Sequence, residues 1–276
     1  MIHKQHGHYL YQTDMCLILF AVDQHPLFPL VVAANRDEFF ARPTAPMHWW
    51  EDRPVLAGKD LASGGTWLAV ATNGEISAVT NVRQGLQDQS ARSRGELPLT
   101  ALSGTTGWRE QLLASRDAYA GFNLIHLNTR QGWHLSNRDA HPGRHIHRGY
   151  YGVSNHLLQS PWPKLVRLRQ QLRDLLTTSA RAGAATLHQQ LLLALQDRTP
   201  APDHLLPDTG VGLAMERWLS APFVLGEHYG TRASTVITVS RQGEITVTEQ
   251  TWQPEGVAGQ QQQFQWQSGQ SPGAVV

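Results

Sequence analysis

Two continuously apolar runs near the start of the chain, residues 16–22 and 29–35, constrain the fold more than any other feature. A strand with one face in water alternates apolar and polar residues, whereas these runs are apolar almost throughout, so both of their faces must be covered. Asp23, Gln24, His25 and Pro26 between them have turn composition, and the pair reads as a hairpin. Short β runs follow at 66–71, 76–81, 121–127, 131–135 and 150–154. The period then changes. Leu165, Leu168, Leu172 and Leu175/Leu176 recur at helical spacing behind Pro163, which predicts a helix over 163–178. Other helical segments fit 97–102, 107–115, 184–195 and 216–220, and β character returns at 231–240 and 244–250 across a tight turn at Arg241, Gln242 and Gly243. This order of elements fits two packed sheets covered by helices, an α+β architecture, better than a doubly wound sheet or a helix bundle.

A chain of 276 residues that is 41% apolar can bury one large core. We expect residues 1–15 to be an extension outside the fold, 16–252 to be one domain, and the Gln/Gly/Ser/Pro-rich residues 253–276 to be a loosely held tail. With 23 basic against 22 acidic residues and no basic block, neither nucleic acid nor an anionic membrane surface is indicated, and small molecules are the expected partners. No run approaches the roughly 18 apolar residues of a membrane span. The single cysteine, Cys16, rules out an internal disulfide and makes the reducing cytoplasm the expected location.

Cys16 follows Met15 at the head of the first run, and residues 1–14 are polar and His-rich without clean periodicity, so Met15 reads as the start of the folded protein. Removal of that methionine would leave Cys16 with a free α-amine. An α-amine of pKa about 7.7–8.0 beside a thiol of about 8.5 supplies a nucleophile with its own base. The competing reading is a small buried apolar residue on a first strand. The second run ends in Asn35, Arg36, Asp37 and Glu38, and hairpin pairing brings this cluster beside Cys16. Strict alternation sends Arg36 to the face opposite Asn35 and Asp37, so the three cannot all face the thiol unless the strand bends.

Asn81 and Asn155 end two other β runs and offer amide donors for an oxyanion, although asparagine is equally ordinary after a strand. Thr66 and Trp67 follow a Gly64-Gly65 turn that lacks a phosphate-loop lysine, and Arg232 opens a late strand. The 14 histidines form no metal-ligand pattern, so no metal site is expected.

Together Met15-Cys16, Ala34-Asn35-Arg36-Asp37-Glu38, Gly64-Gly65-Thr66-Trp67, Thr80-Asn81-Val82-Arg83, Ser154-Asn155, Trp162-Pro163-Lys164 and Tyr229-Gly230-Thr231-Arg232-Ala233-Ser234-Thr235 resemble the NRDE, or Transport and Golgi organisation 2, family from Cys16 to about Trp252. That family is similar to the N-terminal-nucleophile hydrolases, which implies a four-layer α-β-β-α sandwich. By this resemblance Cys16 is the nucleophile, Arg36 and Asp37 its supporting charges, Asn81 and Asn155 oxyanion or substrate contacts, and Asn35, Arg83, Thr66, Trp67 and Arg232, the distal arginine, substrate contacts. The cysteine amidases of the superfamily separate their arginine and aspartate, whereas Arg36 and Asp37 are adjacent here. The resemblance implies a cysteine hydrolase of an amide or thioester in a small acylated molecule. The alternative is a non-catalytic carrier that holds haem, or an acyl or lipid ligand, in the same cleft. No cofactor is expected beyond haem as such a ligand.

Overall fold

The computed structural model describes residues 15–83 and 92–270; apart from Met15, the expected extension over 1–15 lies outside the described residues. Two antiparallel sheets form the centre. The strands are β1 (Met15–Val22), β2 (Leu30–Phe39), β3 (Thr44–Trp49), β4 (Val55–Asp60), β5 (Leu68–Ala71), β6 (Ile76–Asn81), β7 (Phe122–Leu127), β8 (Gly132–Ser136), β9 (Gly143–Ile146), β10 (Gly149–Val153), β11 (Tyr229–Val239), β12 (Glu244–Gln253) and β13 (Val257–Gln267). The first sheet runs β10-β1-β2-β11-β12-β13 and the second β3-β4-β5-β6-β7-β8-β9. The helices are α1 (Leu97–Ala101), α2 (Trp108–Ser115), α3 (Pro163–Thr178), α4 (Ala184–Ala194) and α5 (Leu213–Leu219).

The apolar hairpin explains the layering. In β1, Ile18, Phe20 and Val22 point between the sheets with Val32 and Ala34 of β2, against Leu56, Leu68 and Ile125 of the second sheet. Leu17, Leu19 and Ala21 point the other way, under the leucine stripe Leu165, Leu168, Leu172 and Leu176 of α3 and Leu187 and Leu191 of α4. On the opposite side of the molecule, α1 and α2 cover Val79, Phe122, Leu124 and Leu135 of the second sheet. The result is the four-layer α-β-β-α sandwich. Period-2 alternation places one set of side chains in each core, so neither face of β1 needs polar residues.

Two features differ from the sequence reading. β2 continues through residues 36–39, so the polar cluster lies within a strand and not at its end. Part of the expected tail is β13, whose Phe264 and Trp266 reach the core between the sheets. Among the described residues no helix is long and apolar enough to cross a membrane.

Candidate active site

Register decides which residues meet. Cys16 lies directly opposite Arg36, and Arg36 opposite Ala233, which in turn lies opposite Thr251. Directly opposed residues in an antiparallel pair share a face. Cys16 has the parity of Ile18 and Phe20, so this row faces the second sheet. There it lines a cavity of about 440 Å³, with Thr66, Trp67 and Asn81 on the opposite wall. Gly65 shapes the rim: a Cβ there would meet the Gly95 carbonyl carbon at 2.5 Å, and Thr66 N donates to Gly95 O at 2.9 Å.

The polar cluster on β2 splits by parity. Arg36 and Glu38 face the cavity and form an ion pair at 3.2 Å, extended by Arg42 at 3.7 Å from Glu38 and 2.6 Å from Asp60. Asn35 faces the helices. Its Nδ2 donates to Leu195 O at 2.8 Å and Pro222 O at 3.0 Å, and its Oδ1 accepts from Ser234 Oγ at 2.6 Å. The expected substrate contact at Asn35 is therefore corrected to an anchor between sheet and helices.

Asp37 shares the parity of Asn35 yet still borders the cavity beside Cys16. Thr231 Oγ1 donates to its Oδ1 at 2.6 Å, while its buried Oδ2 has no hydrogen-bond partner among the described residues. Burial pushes the carboxyl up to about 6, against the pull of Lys164, the Thr231 hydroxyl and Arg36. Arg232 is the extra residue of a bulge between Thr231 and Ala233. Such a bulge re-aims a side chain. The Arg232 guanidinium lines the cavity and donates to Phe39 O at 3.0 Å and Arg42 O at 2.6 Å, fastening the chain that leaves β2.

The remaining expected residues divide. Thr66, Trp67 and Asn81 line the cavity, although the Thr66 hydroxyl donates to Leu68 O at 3.1 Å. Asn155 is a fastener behind it: its Nδ2 donates to Asn81 O at 3.2 Å, and Ser154 Oγ, which lies 3.1 Å from Asn155 Oδ1, is 3.0 Å from Cys16 O. Asn155, expected as an oxyanion or substrate contact, is not among the residues that line the cavity, and its bond to Asn81 O links the two sheets. Arg83 is likewise outside the cavity, paired with Glu216 at 2.9 Å, donating to Thr209 Oγ1 at 3.1 Å and lying over the Trp162 ring.

Two buried ionisable groups beside the site were given no role in the sequence analysis. Glu249 of β12 lines the cavity and accepts from Met47 N at 2.7 Å. Burial pushes its carboxyl up to about 7. Lys164, 2% exposed, donates from Nζ to Leu219 O at 3.0 Å; burial pulls its ammonium down to about 8, chiefly opposed by Asp37. Besides the Trp162-Pro163-Lys164 motif, its place in the first turn of a helix, where the helix dipole disfavours a cation, was a signal that could have marked it.

The profile of the Transport and Golgi organisation 2 family matches residues 15–254. The Transport and Golgi organization protein 2 homolog of Bos taurus is 34% identical over 255 residues, covering 85% of this chain and 92% of that protein. Transport and Golgi organization protein 2 of Drosophila melanogaster is 28% identical over 265 residues, covering 86% and 92%. Among solved structures, a mutant of the conjugated bile acid hydrolase from Clostridium perfringens is similar with a TM-score of 0.47 at 8% identity, covering 90% of this chain and 92% of that one.

Proposed function

The chain belongs to the Transport and Golgi organisation 2 family, and from that premise we propose that it is a cysteine hydrolase cleaving an amide or thioester bond of a small acylated molecule, with Cys16 as nucleophile. The observation that carries this reading is the position of Cys16: its thiol-bearing residue lies on the cavity face directly opposite Arg36, at the head of an otherwise apolar strand. A guanidinium facing a thiol favours the thiolate, the form that attacks carbonyl carbon.

The reaction runs through a chain that begins at Cys16. Asp37 lies opposite Met15 in the register, one residue before Cys16, so an α-amine on Cys16 falls near the buried carboxylate oxygen of Asp37. The amine takes the thiol proton, and the thiolate attacks the acyl carbon to form a C–S bond. As the C–N or C–S bond to the leaving group breaks, the amine returns that proton to the leaving group. Water then adds to the thioester, gives its proton through the amine to the departing Cys16 sulfur, and releases the carboxylic acid. Asn81 is the amide assigned to the developing oxyanion. A reducing compartment such as the cytoplasm suits a catalytic thiol.

An electrophilic acylating probe tests the assignment. In protein beginning at Cys16 the probe is expected to modify this thiol at neutral pH, with no modification in Cys16→Ser. A chain retaining residues 1–15 should react more slowly, because its Cys16 nitrogen is an amide. Equal rates for the two forms exclude the amine as base. Retention of acyl ligands in the cavity without turnover would make the protein a carrier.

A further inference from the structure

We propose that Thr80 is a positioning residue: with Asn123 it holds residues 154–156 as a clamp that fixes Cys16 on one sheet against Asn81 on the other. This deepens the hydrolase reading and rests on it for the part played by Asn81, but the clamp is measurable without turnover.

Nucleophile and oxyanion donor stand on different sheets, Cys16 in β1 of the first and Asn81 at the end of β6 in the second. The sheets meet through apolar side chains, whose attraction has no direction and sets no fine register. A displacement of about 1 Å can cost on the order of 100-fold in rate, so a directional link is needed. It lies where the chain leaves β10. The ladder between β10 and β1 ends at Val153 and Ile18, two residues short of Cys16. The next three carbonyls all turn to the second sheet: Ser154 O accepts from Thr80 Oγ1 at 2.7 Å, Asn155 O from Arg83 N at 2.7 Å, and His156 O from Asn123 Nδ2 at 2.8 Å. On the other side, Ser154 Oγ shares its proton between Cys16 O at 3.0 Å and Asn155 Oδ1 at 3.1 Å, and Asn155 Nδ2 donates to Asn81 O at 3.2 Å. One short segment thus ties the backbone of Cys16 to that of Asn81.

The groups that hold the segment are themselves fixed. Thr80 and Asn123 lie directly opposite each other in β6 and β7. A carbonyl only accepts, so the single Thr80 hydroxyl proton goes to Ser154 O, and the Thr80 oxygen accepts from Asn123 Nδ2 at 3.2 Å. The other proton of that amide serves His156 O, and Asn123 Oδ1 accepts from His134 Nε2 at 3.2 Å. Thr80, Asn123 and His134 are at most 1% exposed. A buried polar network of this kind rigidifies what it joins, whereas valine would suit a strand position equally well without it.

The ratio of two reactions at Cys16, the sole cysteine, isolates the clamp in the 276-residue chain. Thiolate attack on p-nitrophenyl acetate forms a C–S bond and expels p-nitrophenolate through an oxyanion. Alkylation by iodoacetamide needs the same thiolate but forms no oxyanion, so the ratio of the two rates cancels the thiol pKa. Both are followed by mass on the Cys16 peptide. Thr80→Val removes the hydroxyl at nearly constant shape and should lower acylation relative to alkylation about tenfold, while Thr80→Ser recovers most of the loss. Ser154→Ala cuts the Cys16 end of the clamp by one atom and should act in the same direction. A purely structural role changes both rates together or unfolds the chain. An unchanged ratio in folded Thr80→Val, or in Ser154→Ala where Thr80→Val does not fold, overturns the proposal. So does an equal fall in Thr80→Ser, or a parent ratio no higher than that of free cysteine. Full turnover of acyl substrates beside an unchanged ratio leaves the hydrolase standing without the clamp; a clamp-dependent ratio in a protein whose acyl-Cys16 is never hydrolysed does the reverse.

Discussion

Four consecutive residues, Asn35 to Glu38, have four different surroundings because a strand sends its neighbours to opposite faces: Asn35 anchors the Leu195 and Pro222 carbonyls, Arg36 faces Cys16, Asp37 accepts from Thr231, and Glu38 joins Arg36 to Arg42. Hairpin geometry made it legible that this cluster meets Cys16, and alternation that its members divide between two faces; that Arg36 is the one opposite Cys16 depends on a register the sequence left open. The role of Asn35 was not, since its partners Leu195 and Pro222 are more than 150 positions away. Glu249 shows the same limit, because its partner Met47 is freed from its own ladder by a register shift between Ala45 and His48. Its raised carboxyl yields a prediction. Between its ordinary value, 4.5, and about 7 the folded chain holds a proton that the unfolded chain has lost, so stability falls as pH rises through that window. Glu249→Gln keeps an acceptor for Met47 N and removes the titration. Urea unfolding should show the variant on the order of 1–3 kcal/mol more stable than the parent at pH 8 or so, with the difference vanishing near pH 4.

Elements with a strong period were the readable ones. The α3 leucine stripe predicted both the span of that helix and the face it buries, and the 231–250 hairpin was marked by Gly243, whose φ of 84° favours glycine. β3 carries Pro46, which an edge strand tolerates, and so lacked a strand signature. β13 was read as tail because six of its eleven residues are glutamine. Only Phe264 and Trp266 reveal its buried face, and Trp266 meets Trp49 edge-on at 4.9 Å while its Nε1 donates to Thr72 O at 2.9 Å. Trp266→Ala should lower unfolding free energy by roughly 3–5 kcal/mol in denaturant titration, as for a buried aromatic. A change within 0.5 kcal/mol or so, the range of a surface substitution, would mean that this strand does not close the core.

At the scale of the whole molecule, two sheets are packed face to face so that one end of the space between them stays open and polar. Apolar side chains of β1, β2, β11 and β12 fill the middle, and the Cys16 row sits where that filling stops. The layer order could be inferred from the sequence because doubly apolar strands demand cover on both faces. The cavity could not, since its far wall comes from Thr66, Trp67 and Asn81 on a sheet whose stacking no local pattern encodes. Intact-mass analysis of protein beginning at Cys16, quenched while it turns over simple acyl amides and thioesters, tests the central claim most directly. We predict a mass increase equal to the acyl group, mapped to the peptide that starts at Cys16 and missing from Cys16→Ala together with turnover. Hydrolysis that persists in Cys16→Ala, with no acyl adduct in the parent, would contradict it.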